Sequence, residues 1–418
     1  MMTKAVRLYG KKDLRLEEFE LPAMKDDEIL AKVVSDSICM SSYKAADQGP
    51  DHKRVPDNCA ENPVIIGHEF CGEIVAVGEK WKDQFKDGEK FAIQPALNYK
   101  GSLDAPGYSY QYIGGNATYI IIPQEVMEMG CLLPYGGDSY FGGSLAEPLS
   151  CVIGTFHAMY HTVRGSYEHV MGIKEGGKMA ILAGVGPMGL AAIDYIIHCD
   201  RRPGLLVVTD IDDGRLSRAA QILSVEEAAK YGVKLIYKNT GSGDPVAELR
   251  EISGGTGFDD VLVFAPVAPV VEQGDAILGE DGCMNFFAGP SNTEFSAKFN
   301  FYNVHYASTH LVGTSGGNTS DLVEALDMTT KGLLDPSILV THIGGMSEVI
   351  PTTLNLPHIP GGKKLIYTGI DMELTAIADF AAKGETDPMF KTLADMVAKT
   401  NGLWNAEAES YLLKTLTK

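Results

Sequence analysis

No apolar run in the 418 residues reaches membrane-spanning length, and the opening MMTKAVRLYGKKDLRLEEF lacks the apolar core of a secretory leader. Neither a membrane partner nor export is expected from this pattern, and a cytoplasmic location is. Cysteine is sparse: seven residues, an odd number scattered from Cys39 to Cys283 without paired spacing, do not make a disulfide framework and suit a reducing compartment. Positive charge is in deficit, with 35 Lys and Arg against 55 Asp and Glu. The resulting net charge of -20 repels nucleic acid and anionic lipid, and an anionic substrate would need a local basic patch. What remains, 45% hydrophobic and 22% charged residues, describes a soluble globular protein long enough for two substantial cores.

The strongest local pattern runs over 178–215, KMAILAGVGPMGLAAIDYIIHCDRRPGLLVVTDIDDGR. A short apolar strand (179–183) leads through Gly184, Gly186 and Gly189 into an apolar helix and out to a second strand (205–209) closed by Asp210. This is the order of a dinucleotide-binding βαβ unit. In that reading Gly184 permits the tight turn, Gly186 lets the backbone approach a pyrophosphate, and Gly189 lets the helix pack on the strand. Pro187 and Met188 open the helix, where a missing N–H costs nothing and the remaining amides face the diphosphate. Asp210 is placed to accept from the ribose hydroxyls and to repel a 2′-phosphate, which favours NAD(H). Arg215, able to stack on adenine or bind a phosphate, keeps NADP(H) open.

The rest of the chain falls into place around that unit. The first 150 residues read as β-rich, with LRLEEFELP, EILAKVVSDSI, EIVAVGEKW, KFAIQP and ATYIIIP as short strands. KAADQGPDHKRVPDNCAENP is rich in turn formers and reads as a surface loop, and LSCVIGTFHAMYHTV as a helix. After the βαβ unit, strands recur at KLIY, DVLVF, CMNFFAG and HLVGT, which predicts an α/β doubly wound parallel sheet. GGKKLIYTGI (361–370) breaks the alternation and is free to rejoin the first domain, and the last stretch has helical periodicity broken at Gly402.

Three further segments carry candidate metal ligands: Cys39-Met40-Ser41-Ser42, Gly67-His68-Glu69-Phe70 and Leu145-Ala146-Glu147-Pro148. Thiolate, imidazole and carboxylate form a borderline-soft set suited to zinc, and ligands drawn from separate segments leave room for an open position. Singly, each has a plainer explanation as a core cysteine, a hydrogen-bonded histidine or a helix-starting Glu-Pro.

Taken together and in order, the Cys-x-Ser segment, IIGHEFCGEIVAVG, GEKFAIQP, GGNATYIIIP, SLAEPLSCV, AGVGPMG with VVTD, and GGKKLIYTG resemble the zinc-dependent medium-chain alcohol and polyol dehydrogenases. SSYKAADQGPDHKRVPDN, HVMGI, CMNFFAGP and HLVGTSGGNTSD are similar to the sugar-phosphate reductases of that family. The resemblance implies a GroES-like catalytic domain (1–153, resumed with a helical extension over 321–418) and an inserted Rossmann domain (154–320). It implies catalytic zinc on Cys39, His68 and a carboxylate, with Glu69 and Glu147 both at matching positions. It further implies hydride transfer between a nicotinamide and a carbonyl carbon, with Ser41 as the hydroxyl that passes a proton, and a homodimer or homotetramer built through the HLVGT edge. Two departures stand out. Residues 95–116 contain no cysteine, so no structural zinc is expected, and the Cys39–His68 separation is long. The extra loop carries His52-Lys53-Arg54, and Lys53 and Arg54 are candidate contacts for a substrate phosphate. The rival readings are a dehydrogenase of another polyol or sugar phosphate and a non-catalytic nucleotide-binding protein. The second gives no reason for Cys39, His68, Glu69 and Glu147 to occur together.

Overall fold

The structure, a computed structural model, describes residues 1–290 and 292–417. These form two compact units, Pro148–Gly317 and a second made of Met1–Glu147 with Asn318–Lys418. In the first, six strands are hydrogen-bonded in parallel: β1 (Lys178–Leu182), β2 (Leu205–Asp210), β3 (Lys234–Asn239), β4 (Phe258–Val263), β5 (Leu278–Phe286) and β6 (His310–Gly313). Their spatial order is β3-β2-β1-β4-β5-β6, the doubly wound arrangement, which reverses direction between β1 and β4. The runs of Ile, Leu and Val in β1, β2 and β4 have their cause here. A parallel sheet covered on both faces buries successive residues, and Ala180, Ile181, Leu182, Val207, Val208, Val261 and Leu262 are all fully buried.

The other unit is built on a mixed eight-stranded sheet and a three-stranded one. Its central strand, Ile29–Ile38, pairs antiparallel with Phe70–Val77, Tyr119–Ile122 and, from the far end of the chain, Lys363–Tyr367. The late GGKK segment thus rejoins the first part of the chain. Helices Pro388–Ala398 and Ala406–Leu416 flank Gly402, whose φ of 79° ends the helical pattern.

One expectation needs correcting. The polar stretch after Cys39 does not begin as a loop: helix Met40–Gln48 occupies its first part. Ala45, Ala46, Val55 and Cys59 are buried in a core cluster with Val6, Leu8 and Tyr108. The burial is carried by two alanines, a cysteine and a single valine, too few and mostly too small to stand out in a segment of charges and turn formers.

Candidate active site

Strand register assembles the chemical residues of the catalytic unit. Pairing of Asp36 with Phe70 sets Ser37 against Glu69, and pairing of Ile38 with Lys364 draws in Lys363. Cys39 then follows the strand as the residue before helix Met40–Gln48, and its side chain makes no capping hydrogen bond to that helix. Gly67 enters the His68 turn at φ 94°, where a Cβ would meet the Asn116 backbone nitrogen at 2.8 Å, so only glycine fits. The outcome is that one donor atom from each of Cys39, His68 and Glu69 lies within 4.8 Å of the others. Glu147 is outside that close set, yet its charge acts on His68.

Hydroxyls surround the imidazole. Tyr108 Oη and Ser41 Oγ each lie 3.2 Å from His68 Nε2, Ser42 Oγ lies 3.3 Å from Nδ1, and Ser41 Oγ donates to Cys39 Sγ at 3.1 Å. Burial lowers the His68 pKa, keeping it in the neutral form that binds metals. Glu69 is buried, with Lys363 Nζ donating to Oε1 and Ser37 Oγ to Oε2. Burial, the largest influence, would raise its pKa, but the Lys363 and His68 charges together with the hydrogen bonds from Lys363 and Ser37 outweigh it, and the net shift is downward. No such compensation reaches its neighbours in full. The Cys39 thiol is pushed up by burial and by Glu69. Glu147 is pushed up to about 7, chiefly by burial and then by Glu69 and Cys39, against the opposing pull of His68. Both residues keep some surface in solvent while their acidic atoms sit deep among protein atoms.

A desolvated thiol and carboxyl beside a neutral imidazole fit a divalent cation, whose charge would reverse both upward shifts. Lys363 and Tyr108 are the functional neighbours that sequence reasoning missed. A lysine in the apolar strand KKLIY was the one signal for Lys363. Nothing in PGYSYQY marked Tyr108. Of the loop cations, Arg54 lies over the Tyr108 ring, 5.4 Å from its centroid, and Lys53 is exposed.

In the nucleotide unit, helix α1 (Pro187–His198) starts directly after the glycine turn, with Gly186 as N-cap, Pro187 first in the helix and Met188 half-buried beside it. The turn itself departs from expectation. The left-handed residue is Ala183, at φ 53°, whereas Gly184 is required by packing, since a Cβ there would meet Ile181 Cγ2 at 2.5 Å. A Cβ on Gly189 would strike the Gly184 carbonyl oxygen at 2.1 Å, and one on Gly186 would meet nothing closer than Arg215 Nη2 at 3.6 Å. Gly189 therefore serves helix packing, and Gly186 faces open space. Asp210 is buried at the end of β2, its Oδ1 accepting from the amides of Ile211 and Asp212 and its Oδ2 3.7 Å from Arg215 Nη2.

A zinc-type donor cluster on a GroES-like unit, in one chain with a glycine-rich nucleotide cradle, defines the class. The chain belongs to the zinc-dependent medium-chain alcohol and polyol dehydrogenases: residues 187–331 match the zinc-binding dehydrogenase family and residues 25–130 the alcohol dehydrogenase GroES-like domain. It is 54% identical over 413 residues to the mannitol-1-phosphate 5-dehydrogenase of Aliivibrio fischeri, spanning 99% of this chain and 97% of that protein. It is 52% identical to the L-sorbose 1-phosphate reductase of Klebsiella pneumoniae, spanning 98% and 97%. A solved zinc-binding dehydrogenase from Sinorhizobium meliloti bound to NADP has the same fold, with a TM-score of 0.70 at 19% identity, over 88% of this chain and 100% of that one.

Proposed function

We propose that the chain reduces a sugar-phosphate ketone reversibly with a nicotinamide cofactor, L-sorbose 1-phosphate to D-glucitol 6-phosphate being the particular reaction. The observation that carries this is the close set of Cys39, His68 and Glu69. Those three with Glu147 would hold one zinc per chain, and no second, structural zinc is expected where residues 95–116 lack cysteine. Bound there, zinc would supply a Lewis acid for the ketone and for the alkoxide that hydride transfer creates. The protein's own groups do the rest. Ser41 Oγ, among the metal donors, both donates and accepts, and it passes the proton that the product oxygen requires. Lys363 holds the Glu69 carboxylate ionised, and Ser42 and Tyr108 fix the His68 ring.

Oxidation of mannitol 1-phosphate at carbon 5 is the second reading, favoured by the 54% identity to the A. fischeri dehydrogenase. The two substrates differ in where the phosphate sits, next to the reacting carbon in L-sorbose 1-phosphate and far from it in mannitol 1-phosphate. Steady-state rates on a panel of sugar phosphates and free polyols decide between them. A highest kcat/KM for L-sorbose 1-phosphate supports the first reading, one for mannitol 1-phosphate the second, and turnover of free polyols alone removes both.

For the cofactor, Gly184, Gly186, Pro187, Met188 and Gly189 would carry the diphosphate and Asp210 the ribose, with Arg215 at the adenosine end. The Asp210 carboxylate sets the preference toward NAD(H), since a 2′-phosphate would lie against a like charge. The natural chain should show the higher kcat/KM with NADH, and Asp210→Ala should move the NADH to NADPH ratio by about tenfold or more toward NADPH. An initial preference for NADPH, or a ratio that the substitution leaves in place, removes this role.

Among the described residues, strand β6 has a sheet neighbour on one side only, and Leu311 on it is exposed. Pairing of two such edges about a two-fold axis gives a dimer, the basic unit of a homodimer or homotetramer. Light scattering at micromolar concentration should report twice the 45.0 kDa chain mass or a multiple of that. A monomer contradicts it. No helix among the described residues is long and apolar enough to cross a membrane.

A further inference from the structure

In a chain with net charge -20, the cations of the helix and loop after Cys39 are left without acidic partners. Two acids of the same segment are already taken by other lysines. Lys12 Nζ lies 3.1 Å from Asp47 Oδ1, and Lys11 Nζ lies 3.8 Å from Asp51 Oδ2, both reaching over from the turn between the N-terminal strands Met2–Gly10 and Asp13–Glu20. Among the described residues, Lys44, Lys53 and Arg54 form no ion pair. A basic tip that merely balanced its neighbouring aspartates would have paired with them.

The charges of all three act on His52. His52 is half-buried, and after burial the largest influences lowering its pKa are the charges of Arg54, Lys53 and Lys44, in that order. Its ring stacks on Tyr108 at 5.8 Å and 10°, and the Arg54 guanidinium lies over that same ring. Tyr108 in turn contacts the metal-site histidine, with ring centroids 4.7 Å apart and its hydroxyl on Nε2. One aromatic plate therefore joins the cation group to His68. The backbone under Arg54 is anchored, because Ser109 Oγ donates to the Arg54 carbonyl at 2.7 Å and the Arg54 amide donates to His52 Nδ1 at 3.3 Å.

We infer that Arg54, lying over Tyr108 beside His52, is the specificity-determining residue of the seat of the substrate's phosphate, with Lys44 and Lys53 of the same segment adding positive charge. This rests on the reading of the chain as a sugar-phosphate oxidoreductase. Arg54 suits the part because a guanidinium meets two phosphate oxygens with parallel charge-assisted hydrogen bonds, and its stacking on Tyr108 presets the planar fork. The unpaired cations also cancel, at this one point, the long-range repulsion that a dianion meets on approaching an acidic protein. The long Cys39–His68 separation acquires a purpose, since both ends of the segment are fixed at the metal donors.

The test measures kcat/KM on the zinc-loaded protein for L-sorbose 1-phosphate, mannitol 1-phosphate and unphosphorylated L-sorbose, in the natural chain, Arg54→Gln and Arg54→Lys. Arg54→Gln should lower the ratio of sugar-phosphate to free-ketose kcat/KM by about ten- to a hundredfold, mainly through KM, and Arg54→Lys should recover part of it. Inorganic phosphate should compete with the sugar phosphate in the natural chain and more weakly in Arg54→Gln. If the free ketose is not turned over, this phosphate competition decides alone. An unchanged ratio and unchanged phosphate inhibition overturn the inference while leaving the oxidoreductase reading intact. A natural chain inactive on every sugar phosphate overturns both.

Discussion

His68→Ala protein should turn over its ketone at least about a thousandfold more slowly than the natural chain. The donor atoms of Cys39, His68 and Glu69 lie within 4.8 Å of one another, and a site that loses its imidazole no longer offers a zinc ion its nitrogen ligand. What is lost is electrostatic stabilisation of a developing alkoxide, several kcal/mol, and about 4 kcal/mol already corresponds to a thousandfold. The His68 ring also packs on Tyr108, so the substitution leaves a small void as well as a missing ligand. Cys39→Ser separates the two effects, because it keeps the volume and removes the thiolate. Equal losses of turnover in both variants, with zinc content falling in each while the melting temperature of Cys39→Ser stays near that of the natural chain, is the expected result. Retention of activity within about tenfold in either variant speaks against a catalytic metal at these residues.

Lys363→Met should lower the unfolding free energy of the chelator-treated protein by about 3 to 5 kcal/mol, the usual consequence of removing one partner of a buried ion pair. Lys363 and Glu69 are both buried and joined directly. Asp36, fully buried nearby, has its pKa pushed well above the carboxylate range by burial and by Glu69, and it accepts from Asn116 Nδ2 at 2.5 Å. Without Lys363 the Glu69 carboxylate must either stay charged without a counter-ion or take up a proton. The double variant Lys363→Met with Glu69→Gln removes the stranded charge and should recover most of the stability, which a simple packing defect would not. A loss below about 1 kcal/mol in the single variant, by denaturant unfolding, contradicts the ion-pair account.

These two predictions differ in how much of their basis could be read from the sequence. The βαβ unit of the candidate cofactor cradle was legible because its parts are local: Gly184, Gly186, Gly189 and Asp210 lie within it, and β1, α1 and β2 follow in chain order. Even there one detail escaped, since a turn glycine was expected and Ala183 takes the left-handed conformation instead. The candidate metal donors could be named as residue types, but their meeting depends on antiparallel register, which no motif encodes. Lys363 was the hardest to foresee, being 294 positions from Glu69 and brought to it by a strand that joins the sheet late. Helix Met40–Gln48 escaped because its buried face consists of Ser42, Ala45 and Ala46.

The central claim, zinc-assisted hydride transfer to a sugar phosphate, is tested most directly by titrating zinc into metal-stripped protein while following NADH oxidation with L-sorbose 1-phosphate. Activity should be absent at the start, rise in proportion to added zinc and level off at one zinc per chain. Full activity in the metal-stripped protein, or no oxidation of NADH at any zinc content, would contradict the account.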